Sequence, residues 1–532
     1  MNELLKLDCI LQAMKNNRIN YVEYYQGNKC SKKVFSDVYA DVRKVSAYLS
    51  GKGVKKGDRI GIIGTNSYEY MILDVAVITS GYVCVPFPEK DFKGKIDTVS
   101  KEYNLKLLFA DAKNRNDTSE KSIMCLENLL TDIEKEDTGE LTINPIEDED
   151  FFTIIFTSGT TGVPKGIEVR SKCVQEWMDN LQNAFDFRED DKLIDFLSLS
   201  ISNARLFVYA AILLHFNLVL TNTDQLLRVL ALSQPTVMQG VPYLFETFYS
   251  SFMNITRQSL KKRITYQLYC MLNKVFPSFL SQGLQEKVFQ GLKELFGKNM
   301  RILVTGSAPA GKKLLELYEK AGLRIYEVYG INEVGLVSMN TPDAYRIGSV
   351  GKPFQTKSIQ ISNENEILIK SDYSWGMYYI NDASNIGSKT FREDGYIATG
   401  DTGRIDEDGF LYIEGRLKEV LILSNGDKIH PGILEEELKQ THFIKQAVAI
   451  GNQKAFISCV LVLEDENTPL NKVTEAIREV NKKYGDNFKI REFVIAKQAF
   501  TVENGLMNGT LKINRKAVYE AYQSEIEKLY VS

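Results

Sequence analysis

The sequence has no long hydrophobic run, no strong excess of either charge and no paired cysteines. Charges interrupt its apolar stretches well before the roughly 18 residues that a membrane-spanning helix needs. A formal net charge of −4 argues against a strongly basic nucleic-acid-binding protein. The seven cysteines show no C-x-x-C spacing, which predicts reduced thiols and neither disulfides nor zinc. Residues 1–20 lack the apolar core and cleavage site of a signal peptide. Together these absences predict a cytoplasmic protein.

The chain alternates between strand-like and helix-like stretches. Its 532 residues predict two or more domains. Arg59–Ile63 and Tyr82–Pro86 are typical of strands, and a helix-compatible stretch lies between them. This pattern predicts an α/β fold in which helices cover parallel-rich sheets. Residues 251–300 are instead long and amphipathic. Such a segment usually packs against a core, although contact with a membrane or an acyl chain is the alternative.

The most informative segment is Phe156–Gly166, which reads FTSGTTGVPKG. Its glycines free the backbone, and its hydroxyl groups together with Lys165 provide donors and a positive charge for a triphosphate. The preceding residues Phe151–Phe156 are typical of a buried strand, and α/β proteins bind ligands where strands end. The segment lacks the hydroxyl residue that follows the lysine in a Walker loop, and it has no G-x-G-x-x-G pattern. An ordinary surface linker is the alternative.

This order of residues resembles the phosphate loop of the adenylate-forming superfamily, which includes acyl-CoA synthetases, adenylation domains of peptide synthetases and luciferases. The resemblance implies that the loop binds ATP, that Lys165 also takes part in catalysis, and that Thr157 also contacts Mg²⁺. The loop residues implied to bind ATP are Thr157, Ser158, Gly159, Thr160, Thr161, Gly162 and Lys165.

A second motif follows a strand predicted at Leu323–Val328. Tyr329 offers a flat face for a purine, and Glu333 offers oxygen ligands for Mg²⁺. The motif is similar to the superfamily's Y-G-x-T-E, with Asn332 at the usual threonine, where its amide can still donate to a phosphate. The resemblance implies a catalytic Glu333 and ATP contacts from Gly306, Ser307, Ala308, Tyr329, Gly330 and Asn332. A buried tyrosine beside a surface glutamate is the alternative.

A third motif spans Thr399–Lys418. Asp401, in a predicted glycine-flanked turn, is suited to accept both ribose hydroxyls, and Arg416 can reach the ribose or a phosphate. Asp408 and Gly409 indicate a hairpin turn. In the superfamily a hinge residue stands at the place of Lys418, which also implies an ATP contact there.

The resemblance continues to the end of the chain. It divides the chain into a large domain at 1–417 and a small mobile domain at 418–532. Asn425 and Gly426 are similar to the loop that faces the thiol acceptor. Lys512 aligns with the family's catalytic lysine, whose charge stabilises carboxylate attack on the α-phosphate and which withdraws when the small domain turns. A solvated basic tail is the alternative.

Within the superfamily, Gln234–Glu246 and Thr501–Leu506 are similar to long-chain acyl-CoA synthetases. Leu199–Asn203 contains no acidic residue, and a buried ammonium without a counter-charge is costly. This argues against an α-amino acid substrate. The residues implied to bind the acid are Ser202, Asn203, Leu206, Val241 and Gly306. Whether Ser202 or Asn203 holds the key position stays open.

The predicted activity is that of a two-step ligase. A carboxylic acid, of the fatty class by resemblance, reacts with ATP–Mg²⁺ to give acyl-AMP, and the thiol of CoA then takes the acyl group. The alternative acceptor is the phosphopantetheine of a carrier protein, loaded with an acyl, hydroxy or aryl acid. Two further classes are a non-catalytic nucleotide-binding relative and an ADP-forming kinase or ATPase. The resemblance implies a large domain of parallel-rich sheets with a distorted barrel, a small α+β domain, a monomer or homodimer, and no nucleic-acid partner.

Overall fold

A computed structural model describes residues 5–92, 94–115, 123–134, 136, 144–157, 164–275, 282–380, 382, 385–441, 443–483, 489–507 and 512–530. The strands in chain order are β1 (Tyr21–Gln26), β2 (Lys29–Val34), β3 (Arg59–Ile63), β4 (Val83–Pro86), β5 (Leu105–Ala110), β6 (Met124–Cys125), β7 (Phe151–Thr157), β8 (Lys165–Arg170), β9 (Lys192–Asp195), β10 (Asn217–Leu220), β11 (Val237–Gly240), β12 (Ile302–Thr305), β13 (Ile325–Ile331), β14 (Gly335–Met339), β15 (Lys352–Pro353), β16 (Ser358–Ile361), β17 (Glu366–Lys370), β18 (Ile397–Ile405), β19 (Leu411–Arg416), β20 (Leu421–Ile422), β21 (Lys428–Ile429), β22 (Ile444–Ile450), β23 (Ile457–Leu463) and β24 (Ile490–Ile495).

The α-helices are α1 (Ile10–Lys15), α2 (Phe35–Gly51), α3 (Tyr68–Thr79), α4 (Glu89–Phe92), α5 (Ile96–Glu102), α6 (Ala112–Arg115), α7 (Leu129–Asp132), α8 (Lys172–Ala184), α9 (Ser202–Leu213), α10 (Leu226–Ser233), α11 (Pro242–Gln258), α12 (Leu260–Val275), α13 (Gln282–Phe296), α14 (Lys312–Lys320), α15 (Gly387–Thr390), α16 (Pro431–Lys439), α17 (Leu470–Lys483), α18 (Arg515–Ala521) and α19 (Gln523–Lys528). Short 3₁₀ turns span Leu7–Cys9, Leu126–Asn128, Thr223–Gln225 and Leu417–Glu419.

Two parallel-rich sheets form the main part of the large domain. One has nine strands in the order β15-β14-β13-β12-β11-β9-β10-β1-β2, and the other has six in the order β6-β5-β3-β4-β7-β8. The strands from β1 through β10, β9, β11 and β12 to β13 are parallel, while β2, β14 and β15 pair antiparallel at the edges. Strands such as Ile302–Thr305 are buried throughout, as expected for parallel strands covered on both faces. The predicted α/β class and the strands at Arg59–Ile63 and Phe151–Phe156 are confirmed.

Two helices without a polar side lie in the main core. Every residue of α3 is buried, and so is α9 from Ala204 to Leu213. A helix that is apolar all round belongs inside a protein, because it has no face to offer to water. These helices share one hydrophobic cluster with residues of both sheets, including Ile60 and Val237. The core of the large domain therefore lies between the two sheets.

The described part of the amphipathic segment 251–300 lies mostly in the three helices α11, α12 and α13. Phe245, Phe248 and Phe252 recur at helical spacing on α11, and their rings pack against Phe289 and Phe296 of α13. The expectation that this segment packs against a core is therefore confirmed for α11 and α13.

The rest of the chain forms an antiparallel sheet and a small α+β unit. The expected distorted barrel is represented by four antiparallel strands in the order β16-β17-β18-β19. In the small unit β22 pairs antiparallel with β23, and β24 pairs parallel with β23. The buried members of its two hydrophobic clusters come from residues 423–526. The described residues thus contain a large α/β domain and a small α+β unit with a core of its own.

Two sequence expectations about local structure are wrong. The strand predicted at Leu323–Val328 runs from Ile325 to Ile331, so Tyr329 and Gly330 lie in β13 and not in the following loop. Asp401 lies in β18 and not in a turn. Both errors have the same cause, which is a β-bulge that lets strand pairing continue past a glycine. The bulge lies between Tyr329 and Gly330 in β13 and between Thr402 and Gly403 in β18.

Candidate active site

The phosphate loop connects the two strands of a β-hairpin. Thr157 at the end of β7 is the cross-strand partner of Lys165 at the start of β8. The predicted ATP-binding residues Ser158, Gly159, Thr160, Thr161 and Gly162 lie outside the described residues. The Asn332 side-chain amide donates to the carbonyl oxygen of Phe156 at 3.0 Å. The second motif is therefore tied to the base of the phosphate loop.

Lys165 is buried and is held by two groups that the sequence did not indicate. Its ammonium lies 2.9 Å from a carboxylate oxygen of Asp382 and 4.8 Å from the ring centre of Tyr379. The Tyr379 hydroxyl donates to Glu333 at 2.6 Å. Burial and the adjacent Glu333 carboxylate both raise the pKa of Tyr379, so this hydroxyl keeps its proton. Tyr379 thus connects the predicted phosphate-binding lysine to the predicted metal ligand.

The carboxylate of Glu333 is an oxygen ligand of the kind that Mg²⁺ prefers. The carboxylate is half-buried in the turn between β13 and β14. Among the described residues there is no group of three or more metal-binding side chains. Mg²⁺ in nucleotide enzymes commonly uses one or two carboxylates together with substrate phosphates and water. A single carboxylate such as Glu333 is therefore compatible with an ion that arrives with ATP, and the Mg²⁺ contacts of Glu333 and Thr157 stay a prediction.

Tyr329 is buried, and its hydroxyl donates to Asp401 at 2.7 Å. Its ring packs in a cluster with Val334, Val337 and neighbouring residues of the antiparallel sheet. The next residue, Gly330, must be a glycine, because a Cβ atom there would lie 2.5 Å from the carbonyl oxygen of Gly335. Stacking of a purine on Tyr329 stays a prediction.

Asp401 interacts with two cations from different parts of the chain, Arg416 and Lys512. Its second carboxylate oxygen lies 2.9 Å from Nε of Arg416, and Nη1 of the same arginine donates to the Thr399 carbonyl at 3.1 Å. Burial raises the pKa of Asp401, while Arg416, Tyr329 and Lys512 act to lower it. Burial lowers the pKa of Lys512, the charge of Arg416 lowers it further, and Asp401 opposes the change. The predicted ribose acceptor and the predicted catalytic lysine are therefore close enough to act on each other.

An ion pair joins the small unit to the large domain, and further ion pairs hold the small unit together near the predicted hinge. Lys439 of α16 lies 3.2 Å from Glu246 of α11 and also pairs with Glu436. Arg515, three residues after Lys512, forms ion pairs with Glu435 and with Glu419 beside the predicted hinge. Lys418 itself lies in the 3₁₀ turn that follows β19. The Lys439–Glu246 contact therefore docks the small unit on the large domain, and Arg515 holds the segment that follows Lys512 against α16 and the hinge turn.

The predicted acid-binding residues are divided between two places. Ser202 and Leu206, in the first turns of α9, line an internal cavity of about 10 Å³ together with Trp375. That volume holds about one water molecule. Asn203, Val241 and Gly306 are not among its lining residues. Gly306 follows β12, at a place where a side chain would meet Val328, and Val241 precedes α11. Which of Ser202 and Asn203 faces the acid stays a prediction.

Two predicted segments are exposed loops. Ser307 and Ala308 follow β12 at the surface, and Ser307 has a left-handed backbone with φ of +70°. Asn425 and Gly426 form an exposed turn between β20 and β21, where the Asn425 amide donates to Asp427 at 2.6 Å. Both loops present backbone groups that a substrate can reach.

A buried carboxyl group beneath the first of these loops was not found from the sequence. Glu327 of β13 accepts the backbone N–H of Ala310 at 3.4 Å, and its other oxygen has no hydrogen-bond partner among the described residues. Burial raises the pKa of Glu327 to about 8. A lone glutamate in a strand carries no sequence signal for this, since the cause is the packing of strands that are distant in sequence.

Comparison with known proteins agrees with this geometry. Residues 12–379 match the AMP-binding enzyme family, and residues 418–532 match the AMP-binding enzyme C-terminal domain. The chain therefore belongs to the AMP-binding enzyme family, within the adenylate-forming superfamily. The resemblance derived from its motifs is confirmed.

Two relatives show where in the family the similarity lies. A long-chain-fatty-acid–CoA ligase, FadD15, of Mycobacterium bovis is 29% identical over 92% of this chain and 90% of its own length. The Xenopus laevis long-chain-fatty-acid–CoA ligase ACSBG2 is 26% identical over 95% of this chain and 80% of its own length.

Solved structures share the fold. ATP-bound MatB from Rhodopseudomonas palustris has a TM-score of 0.77 and 19% identity over 98% of this chain and 99% of its own. The adenylation domain of a carboxylate reductase from Mycobacterium chelonae has a TM-score of 0.80 and 18% identity over 100% of this chain and 92% of its own. The predicted α/β architecture with a large N-terminal and a small C-terminal domain is confirmed.

Proposed function

We propose that this protein is an AMP-forming acid–thiol ligase that activates a fatty acid as acyl-AMP and transfers the acyl group to the thiol of CoA. The observation that carries the proposal is the position of Lys512 beside Asp401 and Arg416. These residues stand at the places of the family's catalytic lysine and ribose-binding carboxylate. The names of the fatty-acid–CoA ligase relatives support the acid and the acceptor.

In the first half-reaction the carboxylate attacks the α-phosphate of ATP, and pyrophosphate leaves. Lys165 and the hydroxyl groups of its loop hold the phosphates, and Asp401 accepts the ribose hydroxyls once its contact with Tyr329 gives way. Lys512 bridges the acid and the α-phosphate and stabilises the negative charge that develops there. Mg²⁺ held by Glu333 and Thr157 would neutralise phosphate charge.

In the second half-reaction a thiol attacks the acyl carbon, and AMP leaves. We propose that the small domain, 418–532, turns about Lys418 so that Lys512 withdraws and the turn at Asn425 and Gly426 approaches the thiol. Such alternation lets one site catalyse two steps in sequence. The closed site keeps water from the adenylate before the thiol arrives.

The test is ATP–pyrophosphate exchange with fatty, hydroxy, aryl and amino acids, followed by thioester formation with CoA or a carrier protein. We expect exchange with fatty acids, AMP as the nucleotide product, and a thioester with CoA. Exchange with aryl or hydroxy acids and transfer to a carrier protein alone would replace the substrate assignment. ADP as product, or no exchange with any acid, would overturn the proposed reaction.

A further inference from the structure

A surface segment of the helical layer combines positive charge with exposed apolar side chains. No aspartate or glutamate lies between Glu246 at the start of the layer and Glu286. The basic residues in this interval are Arg257, Lys261, Lys262, Arg263 and Lys274. The whole chain carries a net charge of −4, so this segment is opposite in sign to the molecule as a whole. It is therefore a local feature and not a consequence of composition.

The apolar residues of α12 form one continuous stripe, defined here as Leu260, Ile264, Leu268 and Met271. At 100° per residue these four positions fall within about 80° of the helix circumference. Their side chains are 63%, 54%, 42% and 58% exposed, respectively. A stripe of this kind normally faces a core, whereas this one faces away from the protein.

The opposite side of α12 is the side that packs on the domain. Tyr269 lies about 180° from Leu260 on the same helix, is buried, and contacts the ring of Phe289 on α13 edge-on at 5.4 Å between ring centres. The helix is thus anchored by its tyrosine, and the stripe points outward by geometry. Ile255 of the adjacent helix α11 is also exposed.

Cations flank the stripe on both sides. Lys261 lies about 100° from Leu260 in one direction and Arg263 about 60° in the other, and both side chains are exposed. A helix that lies in a membrane interface has this arrangement, with its apolar side in the acyl region and its lysine and arginine side chains at the headgroups. Each cation near an anionic surface adds to the attraction.

We propose that α12 binds the surface of an anionic lipid bilayer, with Leu260, Ile264, Leu268 and Met271 inserted at the interface and Lys261 and Arg263 at the headgroup phosphates. The contact is peripheral, because no helix in the described part of the chain is long and apolar enough to cross a membrane. A second copy of this chain that packed through the same helix fits the surface less well. Its α12 would bring no acidic residue to pair with Lys261 and Arg263.

The test is co-sedimentation of the full-length protein with vesicles of phosphatidylcholine alone or mixed with phosphatidylglycerol, without ATP, acid or CoA. We expect tighter binding to the anionic vesicles and loss of that preference in high salt. The variant with Leu260, Ile264, Leu268 and Met271 all changed to glutamine should bind about tenfold or more weakly. The variant with Lys261→Gln and Arg263→Gln should bind anionic vesicles about tenfold more weakly than the unchanged protein does. Its binding to vesicles of phosphatidylcholine alone should be unchanged.

Two matched controls use exposed residues elsewhere on the surface. Leu227→Gln with Leu232→Gln removes two exposed leucines of α10, and Lys101→Gln with Lys106→Gln removes two exposed lysines. Both should bind vesicles like the unchanged protein. The stripe variant should keep ATP–pyrophosphate exchange in detergent, which separates loss of membrane binding from loss of folding.

Three results would overturn the proposal. One is equal vesicle binding by the stripe variant and the unchanged protein. Another is a dimer that becomes a monomer in the stripe variant while vesicle binding is absent, which would make the stripe an interface between copies. The third is binding of an acidic carrier protein to this surface with no binding to vesicles. Because no substrate is used, failure here leaves the proposed ligase activity untouched.

Discussion

The two lysines of the candidate site, Lys165 and Lys512, differ in what holds them. Lys165 stands in a hairpin of the large domain, and its ammonium pairs directly with the Asp382 carboxylate at 2.9 Å. Lys512 comes from the small unit and lies beside Asp401, which is already engaged by Arg416 at 2.9 Å and by Tyr329 at 2.7 Å. The first lysine is fixed in its own domain, while the second is brought to its place by docking.

Their electrostatic surroundings differ accordingly. Burial and Arg416 lower the pKa of Lys512, so the folded protein disfavours its charge in this position. A phosphate beside it would reverse this and favour the charge. The difference teaches that the large domain holds its cation in an ion pair before ATP binds, whereas the small unit supplies a cation whose charge the surrounding protein disfavours and a substrate phosphate would favour.

The largest effect is expected from Lys512→Ala. It should lower the rate of adenylate formation about 100-fold or more, because the charge on the transition state loses its cation. Thioester formation from supplied acyl-adenylate and CoA should stay near the rate of the unchanged protein. ATP–pyrophosphate exchange and a single-turnover thioester assay measure the two steps.

Lys516→Ala is the matched control, because Lys516 lies four residues later and is 87% exposed. It should change neither step. Equal loss of both half-reactions in Lys512→Ala would contradict the role assigned to this lysine.

A change of the other lysine should affect stability as well as catalysis. Lys165→Met leaves the half-buried carboxylate of Asp382 without the buried cation that pairs with it, which should lower the free energy of unfolding by ~2–3 kcal/mol. Lys512→Ala should not lower it, since the folded state disfavours the charge of Lys512. Denaturant unfolding of the two variants measures the difference.

Adding Asp382→Asn to Lys165→Met should restore much of the lost stability without restoring the KM for ATP. If the double variant is as unstable as Lys165→Met alone, the ion pair is not the cause. If Lys512→Ala is destabilised to the same extent, the contrast between the two lysines fails.

Local patterns allowed much of the fold to be predicted. The β-branched run before the phosphate loop is a strand, and Asp408 with Gly409 lies in the turn between β18 and β19. The aromatic residues of α11 recur at helical spacing and form a core. Each of these depends on neighbours along the chain. The bounds of β13 could not be predicted, because its last residues stay paired with β14 beyond a bulge that lies between Tyr329 and Gly330.

The contacts that define the site depend on residues far apart in sequence. Lys165 and Asp382 are 217 positions apart, and Glu246 and Lys439 are 193 apart. Neither Tyr379 nor Asp382 stands in a motif, so the sequence offers no signal for them. The motif residues indicated which chemistry to expect, but the groups that hold those residues in place appear only when the chain is folded.

Glu327 permits a test confined to the large domain. Its pKa is raised from 4.5 to about 8 by burial, so between these values the folded state binds a proton that the unfolded chain has lost. Stability therefore falls as pH rises through this window and is unaffected by Glu327 below pH 4.5. Glu327→Gln should remove this dependence and be more stable than the unchanged protein at pH 9, by ~2–4 kcal/mol.

The measurement is chemical unfolding at pH 5 and pH 9, with the unfolding of the large and small domains followed separately. Only the large-domain transition should change. Glu364→Gln, at an exposed site, is the control. A pH dependence that persists in Glu327→Gln, or that appears in the small-domain transition, would contradict the expectation.

The smallest effect is expected at the docking contact. Glu246→Gln removes the large-domain partner of Lys439 and leaves Lys439 with Glu436, so docking of the small unit should weaken without unfolding it. Adenylate formation needs Lys512 in place and should slow about threefold to tenfold, as expected for the loss of ~1 kcal/mol. Thioester formation from supplied adenylate should be unchanged or faster, because the undocked small unit is freer to turn.

Glu286→Gln on the adjacent helix α13 is the control and should alter neither rate. Equal slowing of both half-reactions would mean that Glu246 supports the large domain itself and does not select between two positions of the small one.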